Sequence, residues 1–339
     1  MSQSLPDVRA SLGHAVTRES GSQAHWSRIA ERGSGLGLAI VLGCYRLLGP
    51  VAVRLLLYPA VLYFFVVVTR ARRASLDYLR RVAAVQGQGW QPGWRDSLRH
   101  MMAFAISSAD KIGAWLGKVD ASRIEFPERA AFERTLASGQ GAVLVGAHLG
   151  NLEMLRAVAN QSAVPINAVV YTRHAERFNR TLAAASAGFN VNLLHVQSLG
   201  PDTAVLLKEK VERGELIVIV GDRVPPVEQS HSRRVSVVDF MGAKAAFPQG
   251  PFILAALLEC PAYLFFCLPE GRGYRVHFEL FAERIQLPRR ERDARLHLLV
   301  QRYAQRLEAY CLTAPLQWFN FFDFWQAEPT AEAATTRAP

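Results

Sequence analysis

The block HLGNLE holds His148 and Glu153 with four residues between them, an imidazole and a carboxylate of the kind that move protons near neutral pH. Ala142 to Ala147 just before it is apolar and bounded by Gly139 and Gly141, which reads as a buried parallel strand. A helix is expected from near Asn151, a good N-cap, with Leu152, Leu155 and Ala159 at helical spacing, and Gly150 lets the chain turn sharply between the two elements. On one continuous helix, five positions would set the two side chains roughly 140° apart. His148 precedes the helix, so its ring can fold back over the first turn, where Glu153 lies. The spacing thus permits a His-Glu dyad at the carboxyl end of a strand, where α/β folds present polar groups to ligands. The plainer readings are a glutamate placed by the helix dipole and a histidine hydrogen-bonded as structure.

The elements that must position this pair follow a regular pattern beyond Asp120. Strand-like runs at 142–147, 166–171, 190–196, 215–221 and 261–268 alternate with helical stretches at 151–160, 175–187, 201–213 and 248–259. That alternation implies an α/β class, a three-layer α/β/α arrangement around a mainly parallel sheet. YRVHFEL, 274–280, alternates like an edge strand, and a last helix runs from about Arg290 to Cys311. A second polar break, IVIVGDRVPP at 217–226, sends Asp222 and Arg223 off the same sheet edge as His148 if the strands are parallel. They then bind substrate in a shared crevice, or form only a local salt bridge. The segment QWFNFFDFW, 317–325, has six aromatics, which suits core closure, an acyl pocket or a membrane interface.

The chain has 339 residues, half of them hydrophobic and a fifth charged, with a formal net charge of +10, so its partners should be anionic. Four scattered cysteines without a CxxC pair predict free thiols and neither a zinc site nor a disulfide framework. GSGLG at 33–37 lacks dinucleotide spacing, no phosphate-binding P-loop motif occurs, and AASAG at 184–188 makes a poor nucleophile elbow. Residues 1–24 are polar, read as disordered, and lack a signal peptide. From Leu36 to Thr69 the chain is densely apolar, but its longest uncharged run, Leu55 to Thr69, has 15 residues and spans about 22 Å as a helix, short of the roughly 30 Å hydrocarbon core. It is expected to snorkel its arginines, to dip into one leaflet, or else to be a buried helix pair. Arg70, Arg72, Arg73, Arg80 and Arg81 follow, suited to an anionic cytoplasmic leaflet. The expected organisation is a helical membrane-associating region at 25–119, an α/β domain at 120–326 and a disordered tail at 327–339. A non-catalytic basic membrane- or nucleic-acid-binding module is the alternative, though no nucleic-acid-binding motif is present.

HLGNLE, VVYTRHAERFN (169–179), GDRVPP and VDFMGAKAAFPQGP (238–251), in this order behind an apolar segment, resemble the lysophospholipid acyltransferase superfamily, and within it the lipid A late acyltransferases. The resemblance covers roughly 25–325. It implies a membrane-associated acyltransferase on the cytoplasmic face of a bacterial inner membrane, without a cofactor, taking acyl-ACP or acyl-CoA as co-substrate and a lipid acceptor. His148 would take the acceptor's proton and Glu153 would fix the imidazole tautomer. Backbone N–H groups near Gly150 and Asn151 would meet the oxyanion. Where the lipid A enzymes carry a further arginine this chain reads AAASAGFNVN, so Arg173, Arg177 or Arg180 would have to serve.

Overall fold

The computed structural model describes residues 43–45, 47, 49, 52–115, 121–154, 164–170, 191–195, 201–224 and 234–325. Cys44–Pro339 group as one unit and Met1–Gly43 as another; every element below belongs to the former. The expected disordered ends, 1–24 and 327–339, lie outside the described residues.

Seven strands form the main sheet: β1 (Ile124–Glu125), β2 (Ala142–Gly146), β3 (Ile166–Val170), β4 (Val191–His195), β5 (Leu216–Val220), β8 (Ala262–Glu270) and β9 (Gly273–Ala282). A separate hairpin pairs β6 (Val235–Phe240) with β7 (Ala243–Pro248). The main sheet runs β1-β9-β8-β2-β5-β3-β4, parallel from β8 through β4, with β9 antiparallel to β8 at one side. The strands expected from the sequence are all present, but 274–280 is not at the edge, because the two-residue β1 pairs along its outer side. The hairpin inside VDFMGAKAAFPQGP was not anticipated, because its turn is carried by Met241 and Gly242, both at positive φ, of which only glycine signals a turn by type.

The central strands are apolar at every position because both faces are covered. Val143, Val145, Ile217, Ile219 and Phe266 pack with α2 (Thr69–Gln86), α5 (Pro201–Glu212), α6 (Gly250–Leu258) and α7 (Arg292–Thr313). Leu144, Leu216, Val218 and Phe265 pack with Phe132 of α4 (Arg129–Ala137) and Ala114 of α3 (Trp94–Trp115). Ala52–Val67 is a helix, α1, bent 93° from α2. No single helix among the described residues is long and apolar enough to cross a membrane, although α1 and α2 together pass that test of length and composition.

His100 of α3 ties three segments together. Its ring lies between Ser75 Oγ of α2 at 3.0 Å and the Trp318 carbonyl at 2.9 Å, fully buried. A carbonyl only accepts, so Nε2 carries the proton and Nδ1 receives the serine hydroxyl. Burial lowers the His100 pKa from 6.5 to about 4, against the smaller opposing pull of the Trp318 carbonyl. The unfolded chain therefore takes up this proton before the folded one as pH falls. We expect unfolding free energy to drop by about 3 kcal/mol between pH 6.5 and pH 4 through this group. Denaturant titrations across that range should show a shallower slope in His100→Gln, whose amide can still donate to Trp318.

Candidate active site

The register of β2 on β5 creates the site. Gly146 stands opposite Val220, and the Gly221 N–H donates to the Gly146 carbonyl at 2.9 Å, so His148 and Asp222 leave adjacent strands side by side. His148 Nδ1 lies 2.8 Å from Asp222 Oδ1, and the His148 backbone N–H donates to Oδ2 at 3.0 Å. Oδ2 also accepts from Trp318 Nε1 at 3.0 Å and Asn320 Nδ2 at 2.9 Å. Asp222 is wholly buried, while the His148 side chain is 31% exposed.

Burial alone would raise the Asp222 pKa. The His148 ring and its hydrogen bond, the Arg223 charge and the His148 amide outweigh burial and hold it down at about 2. An ionised carboxylate only accepts hydrogen bonds, so Nδ1 of neutral His148 carries the proton and Nε2 keeps its lone pair. The carboxylate on His148 Nδ1 is thus that of Asp222, where the sequence reading put Glu153. Glu153 is half-buried, in a turn that precedes a helix beginning at Met154 instead of near Asn151.

The chain after α7 completes the site. Phe319 N–H donates to the His148 carbonyl at 2.7 Å and Gly150 N–H to the Gln317 carbonyl at 2.8 Å, a short antiparallel pairing of the aromatic segment with the catalytic turn. Asn151 N–H donates to the Cys267 carbonyl of β8 at 2.8 Å. The Gly150 and Asn151 amides are therefore committed to backbone partners and cannot serve the oxyanion as expected. Gly150 sits at φ +66°, and a Cβ there would collide with the Cys267 carbonyl, so its role is close packing of this turn. Asn151 is no cap among the described residues: its Nδ2 donates to the Ser107 carbonyl at 3.1 Å, and its buried Oδ1 has no hydrogen-bond partner among them.

Asp222 and Arg223 do leave the same edge as His148, yet not to grip substrate together. The Asp222 carboxylate is shut away from any ligand. Arg223 donates from Nε to Asn320 Oδ1 at 2.5 Å and from Nη2 to the Phe319 carbonyl at 2.8 Å, so it fastens the aromatic segment. Arg173, Arg177 and Arg180 lie outside the described residues. Trp318 and Asn320 were missed as site residues because QWFNFFDFW reads as apolar filling. The polar asparagine between aromatics was the available signal. That segment closes the core as well, since Trp318 is fully buried against Tyr78, Phe240 and Phe324.

A histidine whose inner nitrogen is held by a buried carboxylate, at the carboxyl edge of a parallel sheet, is an arrangement that can act as a general base. Residues 97–327 match the family model for bacterial lipid A biosynthesis acyltransferases, and the chain belongs to that family. It is an acyltransferase, which takes an acyl donor and a lipid acceptor and sets aside the non-catalytic reading. A direct comparison with curated protein sequences finds no match.

Replacing Asp222 by asparagine keeps the shape and removes the charge that opposes the imidazolium. Turnover by Asp222→Asn should fall roughly 100- to 10,000-fold with little change in KM. Steady-state kinetics on a purified, folded variant checks this; an unchanged kcat would remove Asp222 from the machinery.

Proposed function

We propose that this enzyme moves a fatty acyl chain from the thioester of an acyl carrier protein or coenzyme A to a hydroxyl or amine of a lipid or glycolipid acceptor, with no cofactor. The observation that carries this reading is the His148–Asp222 pair, with Nδ1 held and Nε2 left as a base. Nε2 takes the proton of the acceptor O–H or N–H as that atom attacks the thioester carbonyl carbon. The carbonyl π electrons move onto oxygen, and the buried Asp222 charge stabilises the imidazolium that forms. The tetrahedral intermediate then expels the thiolate, which recovers the proton from His148. An ester or amide and a free thiol result, without an acyl-enzyme.

We further infer that α1 lies on the cytoplasmic leaflet of the inner membrane. Only a narrow stripe, with Val53, Val61 and Phe65, is buried, whereas Leu55, Tyr58, Leu62, Tyr63, Val66 and Val67 are each more than half exposed. Apolar faces of this extent mark an interaction surface. At about 24 Å the helix falls short of the hydrocarbon thickness, which favours lying in the interface over crossing. Arg54 at its start pairs with Asp110 of α3 at 3.2 Å, and α2 buries Tyr78, Leu79 and Val82 in the protein core, so α2 stays with the body. Arg70, Arg72 and Arg73 follow where anionic headgroups would lie.

Two measurements test these readings. His148→Ala should abolish acyl transfer from a radiolabelled thioester while the protein stays folded, with a lowered melting temperature because the buried Asp222 carboxylate loses a donor. Activity near the wild-type level would refute the base assignment. Leu62→Asp combined with Val66→Asp should weaken binding to anionic vesicles by on the order of tenfold or more with the fold intact, as two charges enter the apolar face. Unaltered co-sedimentation would take α1 off the membrane.

A further inference from the structure

Helix α7 buries Leu296, Val300, Tyr303, Ala304, Leu307 and Cys311, and Tyr303 brings the one hydroxyl among them. The residue is wholly buried, with its ring set against Phe247 of the β6–β7 hairpin and Phe252 of α6. Phenylalanine would fill the same space. A buried hydroxyl is costly unless it is hydrogen-bonded, so what tyrosine adds lies in its partner. That partner is the Gly146 carbonyl, to which Tyr303 donates at 2.8 Å. Burial holds the hydroxyl pKa well above its ordinary value and the nearby Asp222 charge pushes the same way, so the group stays a donor.

The bond falls where the sheet ends and the site begins. The Gly146 carbonyl also accepts from the Gly221 N–H at 2.9 Å, the last rung between β2 and β5. Where the next rung would stand, the His148 N–H goes to the Asp222 carboxylate and the His148 carbonyl to the Phe319 N–H. His148 and Asp222 thus lie two residues and one residue beyond the final point at which their strands hold each other. A terminal rung frays more readily than an inner one. Tyr303 takes the second lone pair of this carbonyl from the helix layer and braces it. Gly221 is fitted to that approach, since a Cβ there would come within 2.9 Å of the Tyr303 ring.

We propose that Tyr303 is a positioning residue for acyl transfer: its hydroxyl clamps the end of the β2–β5 pairing and so fixes the His148 ring against the Asp222 carboxylate. This rests on the general-base reading of that pair and deepens it. Tyr303 acts through Gly146 and Gly221 and takes no proton from the reacting atoms.

The test compares full-length wild type and Tyr303→Phe in detergent, by steady-state kinetics and by proton NMR of the His148 Nδ1–H, whose far-downfield signal reports its bond to a carboxylate. Loss of the hydroxyl should lower kcat roughly 10- to 100-fold with KM within about twofold, and should move that signal upfield. Placing 4-aminophenylalanine at position 303 returns an N–H donor to the same point of the ring and should recover most of both. Val300→Ala, one turn earlier on the same buried face, removes packing and leaves the bond; it should lower the melting temperature with kcat and the signal unchanged. Wild-type kcat and an unshifted signal in Tyr303→Phe would overturn the proposal, as would equal losses in Val300→Ala. If Tyr303→Phe fails to fold while the 4-aminophenylalanine protein folds, the bond is a condition of the whole fold and the role specific to the site is overturned. Absence of acyl transfer by the wild type would sink the proposed reaction instead, leaving the NMR signal to decide the positioning.

Discussion

A carboxylate sealed from water is the constraint on which the rest of this structure depends. Asp222 stays ionised because the His148 ring, the His148 amide, the Trp318 indole and the Asn320 amide donate to it and the Arg223 charge lies beside it. These donors come from two segments far apart in sequence, the turn after β2 and the chain after α7, while the acceptor follows β5. Folding must therefore bring all three together before the charge can be buried. Loss of any donor leaves a buried anion short of a partner, which is more costly than loss of the hydrogen bond alone. The same contacts that orient the base thus also weld the C-terminal segment to the sheet.

The helices before the sheet extend this network outward. Tyr274 of β9 donates to Asp110 at 2.7 Å, and Asp110 pairs with Arg54 on α1. Arg70 at the start of α2 lies 3.5 Å from Asp323, three residues past Asn320. Arg81 stacks over Trp325, whose indole donates to the Phe240 carbonyl in the β6–β7 hairpin. Exposed pairs such as these contribute little stability singly. Their placement matters more: they connect the apolar helix, by way of α2, α3 and the C-terminal segment, to the residues that hold Asp222.

How much of this was legible in the sequence depended on the range of the interaction. Strands such as 216–220 and 262–270 declare themselves locally, through unbroken apolar runs between turn residues. His148 is equally visible, as a polar residue at a strand end. Its partner was not, because a local reading pairs His148 with the carboxylate nearest in sequence, whereas the true neighbour is set by which strand lies beside β2. Both His148 and Asp222 stand two residues past a pair of registered positions, Gly146 and Val220, but nothing in one sequence says that β2 and β5 are adjacent. The packing face of α3 was hidden for a related reason: it mixes His100, Phe104 and Ser107, so no apolar stripe announces that the helix turns this side toward the site. The committed amides of Gly150 and Asn151 were likewise invisible, since their acceptors lie on β8 and in the C-terminal segment.

The central claim is that Asp222, and not Glu153, holds the catalytic imidazole. Nitrogen-15 NMR of the ring of His148 in selectively labelled protein tests it most directly, because the two neutral tautomers have well-separated nitrogen signals. With Asp222 accepting from Nδ1, the neutral ring should carry its proton on Nδ1, should lose that preference in Asp222→Asn, and should keep it in Glu153→Gln. A proton on Nε2 in the wild type, or a tautomer that changes with Glu153 and not with Asp222, would contradict the account.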